Sequence, residues 1–268
     1  MLAEILEQTR RTRPLVHCIS NYVTANDCAN LLLASGASAI MADDPGEVEE
    51  ITTLCQGLVL NLGTPNPRKL EAMEKAGRRA NALGRPVVFD PVGVGGSALR
   101  RDGARQLLEN LDIGVIRGNA SEICTLAQGR VAHRGVDADD APQGTDWLAP
   151  ALSLAHSSGA VVVLTGETDL VTDGTRTYRV HNGHPMMGRI TGAGCQLSAL
   201  VGAYVAANPL TPLEAALTAV CAMGLCGELA YRRMTPQDGN ASFRNYLIDA
   251  LFRLEPEQLE EGARYEIY

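Results

Sequence analysis

The sequence predicts an α/β protein in which helices cover both faces of a mostly parallel sheet. Strand-like and helix-like segments alternate along most of the chain, which is the pattern of βαβ units. The strand-like segments are continuously apolar, as strands buried on both faces of a sheet must be. Later in the chain, the turn dipeptide Asp173-Gly174 separates two short β-rich segments and predicts an antiparallel hairpin. The parallel sheet is therefore expected to end in an antiparallel ribbon.

Each predicted element has a length typical of its type. The parallel strands are expected at 57–62, 86–89, 113–116 and 160–164, and the ribbon strands at 169–172 and 175–180. The helices are expected at 68–82, 97–110, 120–126, 145–157, 192–208 and 212–233. The last helix is apolar almost all round, so it is predicted to lie buried in the centre of the protein. Because no linker or repeat divides the chain, residues 1–268 are expected to form one domain.

Charge and composition exclude several classes of protein. The 268 residues include 23 basic and 31 acidic side chains, and the net charge of −8 argues against a nucleic-acid or anionic-membrane partner. The only lysines, Lys69 and Lys75, do not follow glycine, so a Walker-type phosphate loop is excluded. No glycine triplet has the spacing of a dinucleotide-binding fingerprint.

The cysteines and the start of the chain predict a cytoplasmic protein with no membrane partner. The seven cysteines are odd in number and form no C-x-x-C, which favours free thiols in a reducing compartment. Residues 1–13 carry charges where a signal peptide has an apolar run. Residues 190–213 are uncharged, but glycines and prolines make them a poor membrane span.

Polar residues follow three of the predicted strands. Asp90 follows the second parallel strand, Arg117, Asn119 and Glu122 follow the third, and Thr165 follows the fourth. Ligands bind at the carboxyl ends of parallel strands, so these side chains are expected on one rim of the sheet. Taken singly, Asp90 and Asn119 also fit helix caps, and Glu122 fits a first-turn residue that complements the helix dipole.

The segment TGAGC at 191–195 opens a predicted helix with two glycines. Backbone N–H groups of Gly192, Ala193, Gly194 and Cys195 are therefore expected to form an anion nest suited to a phosphoryl group. At this helix start, the thiol of Cys195 is expected to have a lowered pKa. The alternative is that Cys195 is a small buried apolar residue.

The histidine spacing does not predict a metal site. His17 lies in a polar segment after the apolar residues 14–16, and a hydrogen-bonded structural role is expected for it. No second histidine lies at metal-ligand spacing, so a structural zinc site is not expected.

Seven motifs occur in a fixed order between residues 14 and 203. They are PLVHCISNYVTANDCAN, LLLASGASAIM, LVLNLGT, DPVGVG, IRGNASEI, LTGETD and TGAGCQLSALVGA. In this order they resemble the hydroxyethylthiazole kinases of the ribokinase-like superfamily, over residues 14–254. The resemblance implies a three-layer α/β/α sandwich that uses ATP and Mg²⁺ to phosphorylate 4-methyl-5-(2-hydroxyethyl)thiazole in thiamine biosynthesis or salvage. It also implies a homotrimer with sites at subunit boundaries.

The resemblance also implies roles on the substrate side of the site. Met41 and Gly192 match thiazole-binding residues, with Asn21 nearby in the same pocket. Cys195 falls where most ribokinase-like enzymes carry the catalytic aspartate. The thiol either accepts the proton of the alcohol or only orients the alcohol.

On the nucleotide side, the implied roles fall on the rim residues. Arg117 and Thr165 match ATP-binding positions. Asp90 and Glu122 match carboxylates that help to place magnesium and the phosphates.

Two other functions stay open from the sequence. The first is another ribokinase-like kinase, such as one for the hydroxymethylpyrimidine half of thiamine, although GAGC and PLVHCISN speak against it. The second is a thiazole- or thiamine-binding protein without catalysis, which would have no need of the anion nest.

Overall fold

The computed structural model describes residues 1–128 and 147–268. In these residues, strands and helices alternate as far as residue 128, and helices dominate after the ribbon. The strands are β1 (Leu15–Ile19), β2 (Ser38–Ile40), β3 (Gly57–Asn61), β4 (Val87–Asp90), β5 (Val115–Asn119), β6 (Val161–Thr165), β7 (Asp169–Thr172), β8 (Thr177–Val180) and β9 (Tyr265–Ile267). The helices are α1 (Leu2–Thr12), α2 (Ala25–Ala34), α3 (Val48–Leu54), α4 (Pro67–Ala82), α5 (Ala98–Asn110), α6 (Ala120–Gln128), α7 (Leu148–Ser158), α8 (Ala193–Ala207), α9 (Pro212–Arg233), α10 (Asn240–Arg253) and α11 (Pro256–Gly262).

The strands form one sheet, in the order β2-β1-β3-β4-β5-β6-β7-β8-β9 within the described residues. The strands from β2 to β6 are parallel, and β6 to β9 pair antiparallel. The predicted mostly parallel sheet with an antiparallel ribbon is therefore confirmed. The C-terminal segment adds a strand that the sequence did not predict, because β9 extends the ribbon through its pairing with β8.

The predicted elements lie within three residues of the observed ones. The prediction for α7 begins at residues 145–146, which lie outside the described residues. The largest difference at a strand end is in β5, which includes Arg117 and Asn119. The ladder with β6 continues as far as Asn119 opposite Thr165, so the chain stays extended through polar residues that were expected to follow the strand.

The core lies in two layers, one on each face of the sheet. Val88 and Val115 point to a cluster packed under α1, α2 and α8 to α11, whereas Phe89 and Ile116 point to a cluster under α3 to α7. This alternation is what a strand covered on both faces requires. The three-layer α/β/α arrangement is therefore confirmed.

Helix α9 is the central helix of the first layer. It is long and apolar enough to cross a membrane by length and composition, but 83% of its apolar window is buried inside the protein. That burial is typical of a core helix, as predicted; near its ends, Glu214 is partly buried and Arg233 is exposed.

Candidate active site

The carboxyl ends of four neighbouring strands meet beside the start of α8. Asn61 of β3 lies opposite Asp90 of β4, and Asn119 of β5 lies opposite Thr165 of β6. Ser198, one turn into α8, donates a hydrogen bond to Asp90 at 2.7 Å. The parallel topology thus brings the predicted rim residues together with the helix that follows the TGAGC segment.

Asp90 is fully buried at the centre of this rim. Its Oδ2 accepts hydrogen bonds from Asn61 Nδ2 at 2.9 Å and from Ser198, and lies 3.8 Å from Arg117 Nη1. Its Oδ1 is buried without a hydrogen-bond partner. Burial raises the pKa of Asp90 to about 6, against the opposing effects of Arg117 and the two hydrogen bonds. Asp90 therefore does not cap a helix, and its partners come from β3, β5 and α8.

Arg117 connects β5 to β6 and to the start of α8. Its Nη2 donates to Thr165 Oγ1 at 2.6 Å. A Cβ on Gly194 would lie 2.3 Å from Arg117 Nη1, so only glycine allows this guanidinium so close to the helix. Arg117 and Thr165, predicted to act together, are thus in direct contact.

Asn119 and Glu122 form a helix cap, which was the alternative that the sequence left open. Asn119 Oδ1 accepts the N–H of Glu122 at 2.9 Å, and Glu122 Oε2 accepts the N–H of Asn119 at 2.9 Å. This reciprocal pair is a capping box at the start of α6. The other oxygen, Glu122 Oε1, accepts the N–H of Gly93 at 2.8 Å and holds the loop after β4.

The start of α8, where the anion nest is predicted, has backbone N–H groups without helical partners. Gly192 is the N-cap with φ 77° and ψ 15°, and the first helical bond runs from Gln196 N–H to the Gly192 carbonyl. The N–H groups of Ala193, Gly194 and Cys195 therefore have no intrahelical acceptor and are available to an anion. A Cβ on Gly192 would lie 2.2 Å from Thr24 Cγ2, so the nest sits tightly on the loop after β1.

The prediction of a lowered thiol pKa at Cys195 is wrong. The side chain is 8% exposed, and burial raises its pKa. The nearby negative charge of Asp90 raises it further, and these effects outweigh hydrogen bonds with Thr24 and Asn61 and the charge of Arg117. The thiol of Cys195 is therefore protonated at neutral pH.

Two residues implied in substrate binding follow the first two strands of the chain, β1 and β2. The side chain of Asn21 packs on Gly63, where an added Cβ would lie 2.4 Å from Asn21 Nδ2, and its Oδ1 accepts the N–H of Val23 at 3.0 Å. Met41 follows the edge strand β2 and is 37% exposed. Asn21 thus lies close to the nest through the loop that carries Thr24, whereas Met41 lies further along the sheet edge.

A cavity of about 550 Å³ opens beside the nest, within the size range of small-molecule sites. Its lining includes Arg117, Thr165, Asp169, His184, Gly194, Leu197 and Met223. Burial raises the pKa of Asp169 to about 6, although Gly166 N–H donates to this carboxylate at 2.9 Å. His184 stacks on Tyr231 with ring centroids 3.6 Å apart and forms part of the wall.

His17 has the structural role that was expected, although it lies in β1 and not in a polar segment. It is buried, with Nδ1 2.9 Å from Thr52 Oγ1 and Nε2 2.8 Å from the Ala42 carbonyl. Desolvation lowers its pKa, so it is neutral at physiological pH. Within residues 1–128 and 147–268, no group of three or more His, Cys, Asp or Glu side chains is arranged to hold a metal ion.

Four residues of the site were missed from the sequence. Asn61 ends the observed β3 but lies inside the strand predicted at 57–62, so the rule that found Asp90 passed over it. Thr24, Ser198 and Lys69 carry no such signal, because their neighbours along the chain do not reveal what they face. Lys69 is only 1% exposed, and its ammonium donates to the carbonyls of Ser20 and Gly63.

Known proteins similar to this chain agree with the motif order. The model of the hydroxyethylthiazole kinase family matches residues 6–257. The chain is 54% identical to hydroxyethylthiazole kinase from Clostridium acetobutylicum over 273 residues, which covers 100% of both proteins.

Solved structures show the same fold. The structure of the hydroxyethylthiazole kinase protein from Pyrococcus horikoshii OT3 matches with a TM-score of 0.87 and 35% identity, over 100% of this chain and 98% of that one. A ribokinase-like superfamily protein from Enterococcus faecalis matches with a TM-score of 0.64 at 13% identity, over 93% of each chain, which shows a shared fold alone. The fold, the ordered motifs and a relative aligned over its full length agree, and this chain belongs to the hydroxyethylthiazole kinase family.

Proposed function

We propose that this chain transfers the γ-phosphoryl group of ATP to the primary alcohol of 4-methyl-5-(2-hydroxyethyl)thiazole. The family acts on this alcohol in thiamine biosynthesis. We call Asp90, Arg117, Thr165 and residues 192–195 the phosphate side of the site. We call residues 20–24, Met41 and Lys69 the acceptor side.

The observation that carries this proposal is the anion nest between Arg117 and the loop after β1. Its three free N–H groups and the guanidinium are fixed before any substrate arrives, since Gly192 and Gly194 are in contact with Thr24 and Arg117. Preorganised donors of this kind stabilise the negative charge of a transferring phosphoryl group. The adjoining cavity gives the rest of the nucleotide a place next to Arg117 and Thr165.

Magnesium, which the family implies, fits one of the two carboxylates proposed to hold it. Mg²⁺ takes oxygen ligands, and Asp90 Oδ1 is an oxygen without a partner. Both oxygens of Glu122 already accept backbone N–H groups. We therefore assign Asp90 to the ion and the loop-holding role to Glu122, which keeps the loop after β4 beside the phosphates. When bound, the ion would offset the charge of the polyphosphate.

For Cys195 we propose the orienting role. A thiol with a raised pKa is a poor acceptor for the proton of an alcohol, whereas its contact with Thr24 places it beside the acceptor side. In a loose phosphoryl-transfer transition state, positioning contributes more than early deprotonation of the nucleophile.

We further propose a cytoplasmic homotrimer, of one domain per chain, with sites at the subunit boundaries. Tyr22 and Val23 are 62% and 65% exposed next to Asn21. Apolar side chains exposed beside a binding pocket are typical of a surface that a second subunit covers. Light scattering of the active enzyme should give about three times the chain mass of 28.5 kDa.

A coupled assay of ADP release tests the reaction. We expect turnover with the hydroxyethylthiazole that requires Mg²⁺, and little with hydroxymethylpyrimidine, pyridoxal or ribose. Turnover with the pyrimidine alone would favour the other kinase function. Tight thiazole binding by calorimetry without release of ADP would favour the binding protein.

A further inference from the structure

Lys69 is a buried cation that the proposed mechanism does not use. It lies in the first turn of α4, its side chain is 1% exposed, and no carboxylate lies within 4.0 Å of its Nζ in the described part of the chain. A lysine is almost never fully buried without a partner. The ammonium instead donates to two backbone carbonyls, that of Ser20 and, at 3.0 Å, that of Gly63.

These two carbonyls lie just beyond the ends of two neighbouring strands. Ser20 follows β1 and Gly63 follows β3, and the strands are paired in parallel. The ammonium therefore joins the loop after β1 to the end of β3. Its Nζ also lies 4.9 Å from the centre of the Tyr22 ring, which places a further residue of the same loop against the cation.

The loop that Lys69 holds reaches the anion nest. Asn21 packs on Gly63 at one end of the loop, and Thr24 packs on Gly192 at the other. Thr24 also lies close enough to Cys195 to act on the pKa of its thiol. A shift of residues 20–24 would therefore move the groups that line the acceptor side relative to the nest.

On the basis of the proposed function, we propose that Lys69 is a positioning residue for the acceptor alcohol. Its ammonium fixes residues 20–24 between the end of β3 and the start of α8, and so sets where the hydroxyl group meets the phosphoryl group. Lys69 acts through the loop carbonyl of Ser20 and not by contact with ATP, so its effect falls on the thiazole and spares the nucleotide.

The charge on Lys69 makes this positioning depend on pH. Burial lowers the pKa of Lys69 to about 8, with Arg100 acting in the same direction and Asp43 and Cys195 opposing it. Because the ammonium is present below this pH and lost above it, its contribution to holding the loop is present at neutral pH and lost in mild alkali.

The test compares Lys69→Met with Lys75→Met, which removes the only other lysine from the same helix. Lys75 is exposed and pairs with Glu71 at 2.9 Å. We expect Lys69→Met to raise the KM for hydroxyethylthiazole about tenfold or more, since hydrogen bonds from a charged donor are lost, and to leave the KM for ATP within about twofold. Lys75→Met should leave both constants unchanged. An equal rise in both KM values for Lys69→Met, or none, would overturn the proposal.

Lys69→Arg keeps the test decisive if the methionine variant does not fold. Arginine stays charged above pH 8, so we expect near-parental thiazole KM at pH 7 and a flatter rise of that KM between pH 7.5 and 9.5. The parent should show the rise. An identical alkaline rise in the parent and Lys69→Arg would refute the role of Lys69. No turnover of the thiazole by the parent itself would instead refute the proposed function.

Discussion

The phosphate side and the acceptor side differ in what holds them in place. On the phosphate side, glycines at 192 and 194 bring backbone N–H groups against neighbouring side chains, and Asp90 is fully buried. On the acceptor side, Met41 and Tyr22 are partly or largely exposed. Individual side-chain contacts hold the loop, and the buried ammonium of Lys69 is one of them. Backbone donors that are fixed by close packing cannot adjust, whereas exposed side chains can.

The difference follows from the chemistry that each side is proposed to perform. Charge develops on the phosphoryl oxygens, and donors that are fixed in advance stabilise it without reorganisation. The acceptor has only to be held close to the reacting atom, which a loop can do. Changes on the phosphate side are therefore expected to affect kcat, and changes on the acceptor side to affect the KM for the thiazole.

The largest effect is expected from Gly192→Ala. The added Cβ would meet Thr24 Cγ2 at 2.2 Å, and the residue has a φ of 77° that favours glycine. We expect kcat/KM to fall on the order of 10³-fold, because the nest and the loop are both displaced. Steady-state kinetics measures the loss. Gly96→Ala is the matched control, since no atom lies within 4 Å of its Cβ position. Equal losses in both variants would contradict the rigid nest.

Asp90→Asn is expected to lower kcat by about 10²–10³-fold, since an uncharged amide binds Mg²⁺ more weakly than a carboxylate does. In the parent, kcat/KM should fall as the pH drops through about 6, the raised pKa of Asp90. A parent profile that is flat from pH 5 to pH 8 would show that the ionised carboxylate is not required.

The same pKa has a consequence for stability. The folded-state pKa of Asp90 lies above its ordinary value of 3.8, so its contribution to stability is present at acid pH and lost as the pH rises from about 4 to 6. In denaturant titrations at several pH values, Asp90→Asn should remove part of this dependence of the free energy of unfolding on pH. The remaining dependence should come from Asp169, whose pKa is raised in the same way.

A smaller effect is expected for Cys195→Ala. If the protonated thiol only orients the alcohol, kcat should fall roughly tenfold or less. If a thiolate were the base, the loss would be about 10²–10⁴-fold, and Cys195→Asp would restore activity. Comparing kcat for the two variants at pH 7 separates these roles, and ATP binding by calorimetry shows that the variants are folded.

The smallest effect is expected for Met41→Ala, on the exposed part of the acceptor side. We expect the KM for the thiazole to rise roughly fivefold or less, with no change in the KM for ATP, because only part of the side chain is removed from water. Leu54→Ala is the control, since Leu54 is 62% exposed at the end of α3. A loss in kcat as large as that of Asp90→Asn would remove the distinction between the two sides.

Much of the site was predictable because parallel strands place their carboxyl ends together. Asp90, Arg117 and Thr165 were identified by their places after apolar runs, and the structure joins them through hydrogen bonds and an ion pair. The nest was identified because the first N–H groups of a helix have no intrahelical acceptor and glycines let a ligand approach them closely. These are local rules, which need only the neighbours of each residue along the chain.

Other features depend on distant parts of the chain and had no local signal. The pKa of Cys195 was predicted in the wrong direction, since the helix start is visible in the sequence but the burial and the neighbouring Asp90 are not. Nothing in the sequence around Lys69 distinguishes it from a surface residue of a helix. Only the structure shows that its ammonium donates to the carbonyls of Ser20 and Gly63.

The sequence by itself determined the order and type of most elements, the parallel sheet and the backbone nest. It did so because apolar periodicity and glycine placement act within a few residues. Only the tertiary structure decided that β9 joins the ribbon, that Glu122 serves a cap and a loop, and that the ammonium of Lys69 donates to two backbone carbonyls. Desolvation and hydrogen bonding depend on what packs against a group, and packing brings together residues far apart in the chain.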